Sequence, residues 1–429
     1  MIQPSDCLPA GQRESQQLQR LRSMVAVLLE TNEFYGHKLR QAGISSADDL
    51  KDLAAYRDLP FTTREELSAD QQAHPPFGTN LTFPTTAYLR IHQTSGTMGQ
   101  PLRWLDTQES WSWWADCWSA VYRAAGVGSG ERIFFAFSFG PFIGFWSALE
   151  GARAMGCLAI SGGGMSTEQR LNSIVDNGAT VLVCTPTYAL HLAEVAATTG
   201  LELAASTVST TIHAGEPGAS LPATKRRIEE AWGARCFDHA GATEVGAWGY
   251  QCDLQDGLHL NENEFMIEVI DPDTGDHTDD GELVITNLGR TGSPVLRYRT
   301  GDRIKLAPQP CACGRTLVRA EGGVMGRIDD ALIVRGLVFF PSAIENTVRE
   351  FDAVTEFAVD VYRRGSMDEV RIQIEANGEP PRQIEAAVAK ALQLKLGLRM
   401  QVTTVQAGSL PRFELKSRRV TDHRVAEHQ

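Results

Sequence analysis

Residues 91–101 read IHQTSGTMGQP and follow an apolar, strand-like AYLRI. Two threonines, a serine and two glycines fall within six positions. Small hydroxyl residues let a backbone approach a ligand closely, and their hydroxyls and amides can donate to phosphate oxygens. The Walker spacing is absent, and taken alone the loop also fits an ordinary Gly/Thr turn. A second set of residues points to a metal. Cys311 and Cys313 form Cys-x-Cys in QPCACGRT, and Cys252 and His259 form a pair in QCDLQDGLH. Three thiolates and an imidazole make a closed set for structural zinc, against which stand unrelated reduced cysteines.

Other suggestive stretches have plainer readings. SGGGMSTEQRL looks like a phosphate loop, but Ser166 and Gln169 are spaced as a capping box at a helix start. Acids recur in DPDTGDHTDDGE as in a calcium loop, yet Asp276 stands where that loop needs glycine, so a hairpin loop is expected. Trp111, Trp114 and Trp118 share one helical face and are expected in the core, and His191 within YALHLAE reads as structural.

These residues need a scaffold. At 429 residues the chain exceeds the size, about 250–300 residues, at which single cores stop growing. Its 40 basic and 53 acidic residues leave a net charge of −13, which argues against a general nucleic-acid or anionic-membrane surface. The polar start MIQPSDCLPAGQRES has no secretory pattern. The most apolar run, Phe134–Leu149, is short and is broken by Gly140, Pro141 and Gly144. A cytoplasmic placement is expected, with free or metal-bound cysteines. Between about 120 and 245, strand-like runs alternate with amphipathic ones (RIFFAFS, WSALEGARAMG; TVLVCTP, YALHLAEVAATTG), which implies βαβ units with parallel strands. From 260 to 310 the pattern becomes that of an antiparallel β subdomain. After GRIDD a compact α+β tail follows. The expected fold is α/β: a large N-terminal domain over 1–327 with βαβ sheets and a β subdomain, and a small mobile C-terminal α+β domain over 328–429.

Four further stretches stand in order after the opening loop: HAGEPG at 213–218, FDHAGATEVG at 237–246, LRYRTGDRI at 296–304 and MGRIDDALIVRGLVFFPSAIE at 325–345. LPRFELKSRRV follows near the end. Together they resemble the adenylate-forming enzymes, and most closely the phenylacetate–CoA ligase family, from about residue 55 to 420. The resemblance implies ATP-dependent activation of a carboxylic acid to an acyl-adenylate, then transfer to coenzyme A with release of AMP. Thr94, Ser95, Gly96, Thr97 and Gly99 would cradle the leaving phosphates. Thr243 would contact the α-phosphate and Glu244 would ligate Mg²⁺. Gly215, Glu216, Pro217, Asp238, His239, Ala240 and Gly241 would line the adenine site. Asp302 and Arg327 would hold the ribose, and Lys416 would reach the reacting carboxylate and bridging oxygen. Asp329 matches the hinge on which the small domain rotates, and Arg335 and Gly336 match the segment brought toward the thiol channel. The Cys252, His259, Cys311 and Cys313 positions match a structural zinc site of family members. Two positions depart from the family: Gln100 replaces a basic residue in the phosphate loop, and Ala240 replaces an aromatic beside the adenine and acyl pocket.

FSFGPFIG resembles the family segment that walls the acyl pocket, where Phe139 and Phe142, with Gly241 and Ala242, would face an aryl acid of the phenylacetate, benzoate or anthranilate type. His213 is a candidate partner for a ring substituent; the alternative is that both phenylalanines are core and His213 braces a loop. A carrier protein as acyl acceptor, or AMP transfer to a cofactor hydroxyl, are the competing activities. No nucleic-acid or membrane partner is expected, and the resemblance implies a homodimer.

Overall fold

The computed structural model describes residues 1–94, 101–364, 367–378, 380–414 and 416–424. An eight-stranded sheet organises the larger part. Its order is Arg319–Ala320, Leu258–Leu260, Gly246–Tyr250, Arg235–Ala242, Thr210–His213, Val181–Cys184, Arg132–Phe135, Leu158–Ser161. The last five run parallel and the first three join antiparallel. The parallel centre is apolar on both faces, as VLVC at Val181–Cys184 shows, because crossover helices cover it on either side. Local chemistry sets those helices. Pro186–Thr199 begins at Thr185, whose hydroxyl accepts from the Tyr188 amide, and ends where Gly200 takes a left-handed φ of 74°. Gln108–Ala124 starts at Thr107 and buries Trp111, Trp114 and Trp118, as their helical spacing predicts.

A second, antiparallel sheet runs Phe265–Ile270, Asp280–Asn287, Tyr298–Lys305, Gly326–Arg327. Its first connection is the acid-rich loop, where Asp271 accepts from the amides of Asp273 and Thr274 at 2.9 Å each, a side-chain-stabilised turn. Ser166 and Gln169 form the expected capping box. The strands Tyr88–Gln93 and Arg103–Thr107 pair as a hairpin that carries the hydroxyl-rich loop.

Beyond Ile328–Asp330, a four-stranded sheet (Gln401–Val405, Met367–Ala376, Val354–Arg364, Val420–Asp422) packs with helices Pro341–Arg349 and Pro381–Leu396. Val334, Ile344, Val348, Val359, Ile372 and Val388 belong to its own apolar core. Polar contacts tie it to the larger part: Arg227 donates to the carbonyls of Arg349 and Val354 at 2.8 Å each.

Candidate active site and metal centre

Chain topology gathers the candidate residues at strand ends. Thr243 and Glu244 follow Arg235–Ala242, and Gly215–Pro217 follow its parallel neighbour Thr210–His213. Asp302 lies on Tyr298–Lys305, where it pairs in register with Arg327. Burial lifts the Asp302 carboxyl to about 6; Arg327 and then Lys416 oppose that rise, while Glu244 adds to it. Lys416 runs over Gly215: a Cβ placed there would sit 3.7 Å from the lysine Cε. Gly215 also has a φ of 98°, so the backbone there favours glycine, although a Cβ would meet only ordinary contacts.

Glu244 pairs with Arg64, Oε1 to Nη1 at 3.0 Å. The same guanidinium donates to the Thr94 hydroxyl at 3.2 Å. Thr94 also accepts from the Leu102 amide and its own amide donates to the Leu102 carbonyl, closing the base of the loop. Ser95, Gly96, Thr97, Gly99 and Gln100 lie outside the described residues. Behind Thr243 and Glu244 sits Arg290, which grips Asp106 through two bonds of 2.8 Å; both side chains are 0% exposed. Arg290 also donates to the Thr243 carbonyl at 2.7 Å. Because Asp106 ends the hairpin that carries the loop, this pair joins the loop's base to the Thr–Glu segment. Sequence reading missed Arg64, Arg290 and Asp106. Arg64 reads as a first-turn residue inside the Thr63–Glu66 capping box. Nothing in NLGRTGSP marks Arg290 as buried except a lone charge beside apolar runs.

Among the adenine-site candidates, Asp238 is buried and pushed up to about 7 by that burial, with Ser220 pulling the other way. Ala240, Gly241 and Ala242 are only partly covered or exposed, so the small-residue strand end stays open. His239 turns inward: Nδ1 donates to the Gly249 carbonyl at 2.7 Å and the ring lies 4.3 Å from Trp118. Burial depresses it to about 4, so it stays neutral. The Glu216 carboxylate is occupied by the Thr187 amide and by Ser417, not turned to an open adenine site.

The acyl-pocket candidates separate. Phe139 packs between Phe137 at 5.0 Å and Trp146 at 4.6 Å, part of an aromatic group that includes Phe145. Phe142 precedes helix Ile143–Ala154 and is 39% exposed. The reading of His213 as a ring-substituent partner is corrected. Its side chain is fully buried, with Nδ1 3.2 Å from the Cys184 carbonyl and Nε2 2.9 Å from the Thr211 hydroxyl. Both nitrogens are committed inside the sheet, so His213 braces adjacent strands.

Asp329 is exposed in the short turn Ile328–Asp330, 3.6 Å from Arg327. Arg335 and Gly336 form the two-residue tip of the hairpin Leu332–Val334 and Leu337–Phe339, with φ of 51° and 79°. Two positive φ values match the twist of a tight hairpin, and Arg335 carries the strain that glycine avoids. Its Nε donates to the Asp368 carbonyl at 2.9 Å.

The cysteine and histidine set comes together in space, and two of its donor pairs have zinc-like spacing. The four donor atoms lie within 4.8 Å of one another. Cys252 and Cys311 sulfurs are 3.8 Å apart, and Cys313 sulfur is 3.5 Å from His259 Nε2. Donors about 2.3 Å (sulfur) and 2.0–2.1 Å (nitrogen) from a tetrahedral zinc would be about 3.8 and 3.5 Å apart. Arg315 donates its amide and guanidinium toward the Cys313 sulfur, which favours the thiolate. These residues could hold zinc in a closed set.

Fold and site together define an adenylate-forming architecture, and comparisons with known proteins narrow it. Residues 336–424 match the AMP-binding enzyme C-terminal domain. The chain is 30% identical to a phenylacetate-coenzyme A ligase of Thermus thermophilus, over 99% of this chain and 100% of that one. A 2-hydroxyisobutyryl-CoA ligase in its postadenylation state superposes with a TM-score of 0.92 at 28% identity, covering 99% of this chain and 94% of that one. The same enzyme in its thioesterification state gives 0.74 at the same identity and coverage. The chain belongs to the phenylacetate–CoA ligase family.

Proposed function

We propose that this protein activates an aromatic carboxylic acid with ATP and transfers the acyl group to coenzyme A, as an AMP-forming acid–thiol ligase. The observation that carries the reading is the in-register pairing of Asp302 with Arg327, together with the passage of the Lys416 stem over exposed Gly215. An acid oxygen attacks the α-phosphorus, the bond to the bridging oxygen breaks and pyrophosphate leaves. The thiol sulfur of coenzyme A then attacks the acyl carbon, the thiol proton is lost and AMP departs with the shared oxygen.

Each residue contributes position or charge, which is most of what phosphoryl and adenylyl transfer require. Asp302 as carboxylate accepts both ribose hydroxyls, and Arg327 lies beside it. Thr243 contacts the α-phosphate. Lys416 neutralises charge gathering on the acid and bridging oxygens. Glu244 would hold Mg²⁺, a hard ion that offsets phosphate charge. Arg64 then has Glu244, Thr94 and the phosphates within reach and can supply positive charge that Gln100 lacks. Zinc held by Cys252, His259, Cys311 and Cys313 would be structural, since protein fills every position. Asp329 is the proposed hinge between domains 1–327 and 328–429, bringing Arg335 and Gly336 to the thiol. The aromatic group of Phe137, Phe139, Phe145 and Trp146 favours an aryl acid. Similarity to the 2-hydroxyisobutyryl-CoA ligase favours a second reading, a small branched hydroxy acid.

A panel decides between them: pyrophosphate release with Mg-ATP and phenylacetate, benzoate, anthranilate or 2-hydroxyisobutyrate, with and without coenzyme A. Release with aryl acids and CoA-dependent thioester supports the proposal. Preference for 2-hydroxyisobutyrate supports the second reading. Release without thioester points to a carrier protein as acceptor, and no release with any acid contradicts both readings.

A further inference from the structure

The segment around Lys416 is held to the larger part of the molecule by contacts of unequal character. Arg412 meets Glu194 at 3.0 Å, Glu414 meets Arg170 at 3.3 Å, and Arg419 donates to the Thr187 hydroxyl at 3.3 Å. Ser417, next to Lys416, is gripped more closely. Its amide and its hydroxyl both donate to Oε2 of Glu216, each at 2.7 Å. The other oxygen of that carboxylate accepts from the Thr187 amide at 3.1 Å, at the start of helix Pro186–Thr199. A single half-buried carboxylate thus anchors to a helix terminus on one side and clasps the lysine segment on the other.

The position of this clasp matters more than its strength. Glu216 adjoins Gly215, the glycine over which the Lys416 stem passes. Fixing Ser417 through backbone and side chain together removes both the translation and the rotation that would carry the lysine stem off Gly215. Hydrogen bonds to a charged group are roughly twice as strong as neutral ones, and two donors from one residue share one ordering cost.

We propose that Glu216 and Ser417 are positioning residues for Lys416, a clasp that holds the adenylation arrangement and must open before thiol transfer. This deepens the ligase reading and rests on it for the role of Lys416. Neither residue touches the reacting atoms. Their effect is on how often the lysine is in place, so the two half-reactions respond in opposite ways.

Two measurements test the clasp. The first is hydrogen exchange at the Ser417 amide in the full-length protein without nucleotide, which needs no acid substrate. In Glu216→Ala this exchange is expected to rise about tenfold or more, because the amide loses its charged acceptor. A wild-type rate there overturns the proposal. The second uses Ser417→Ala, a small change that keeps the amide bond, and the acid fastest in the panel above. Acid-dependent pyrophosphate release is expected to fall about ten- to a hundredfold in kcat with KM for Mg-ATP unchanged, the size expected for one charge-assisted hydrogen bond. Thioester formation from supplied acyl-adenylate is expected at or above the wild-type rate. Equal loss in both half-reactions, or no loss in either, overturns the proposal. Restoration of the first half-reaction by Ser417→Thr separates positioning from a packing defect. If no acid in the panel is activated, the ligase reading fails, while the exchange result still decides whether the clasp exists.

Discussion

Individual residues carry the sharpest consequences. Lys416→Ala should slow acid-dependent pyrophosphate release about 10²–10³-fold, the range for deleting one preorganised transition-state donor. Thioester formation from supplied acyl-adenylate should stay within about threefold, because that step has no use for the lysine. Rapid-quench assays of the two half-reactions check this. Asp302 gives a pH prediction whose sign follows from its raised value. A carboxyl lifted to about 6 is charged only above that pH, and ribose binding needs the charged acceptor. The kcat/KM for Mg-ATP should therefore be flat above about 7 and fall as pH drops through about 6. Asp302→Asn should be low and flat across the same range. A profile unchanged by Asp302→Asn would remove the carboxylate from ribose binding.

At the scale of elements, strand–helix alternation was legible because crossover geometry demands it, as VLVC before its Thr185–Pro186 helix start illustrates. Capping chemistry was equally legible at Ser166 and Gln169. The Arg290–Asp106 pair was not, since its partners lie far apart in sequence and neither sits in a motif. For His213 the motif left two roles open, because it does not display that the strand Thr210–His213 is covered on both faces, where the ring meets the Cys184 carbonyl and the Thr211 hydroxyl. Glu216 stands in the motif that implies an adenine site, and the motif does not display that its carboxylate accepts from Thr187 and Ser417. The proposed zinc site belongs to this scale because a metal there would tie His259 on the strand Leu258–Leu260 to the loop around Cys311. Purified protein should contain about one zinc per chain by elemental analysis. Chelation should lower the thermal midpoint by about 5 °C or more, with re-added zinc restoring it. Zinc-free protein of unchanged midpoint would leave four reduced side chains with no metal role.

At the scale of the whole molecule, the proposed ligase has two reactions to carry out at one site, and rotation of a small C-terminal domain would be the physical means. Among the described residues no helix is long and apolar enough to cross a membrane. The C-terminal sheet has an apolar core of its own, as a body that swings on Asp329 would need. Proline at 329 restricts both its own φ and the residue before it. Asp329→Pro should therefore cut thioester formation from supplied acyl-adenylate about tenfold or more, while pyrophosphate release changes less than about threefold. Equal effects on both steps would place the hinge elsewhere. The side chains that pin the Lys416 segment were not readable from the motifs, because they pair residues 201 to 244 positions apart.

The central claim is that the acid's own oxygen attacks ATP at the α-phosphorus, and isotope transfer tests it most directly. The acid fastest in the panel would be labelled with ¹⁸O in its carboxyl group and turned over with Mg-ATP and coenzyme A. The account predicts one ¹⁸O in each AMP released and none in pyrophosphate. AMP without label, or label in the phosphate of another product, would contradict an acyl-adenylate intermediate.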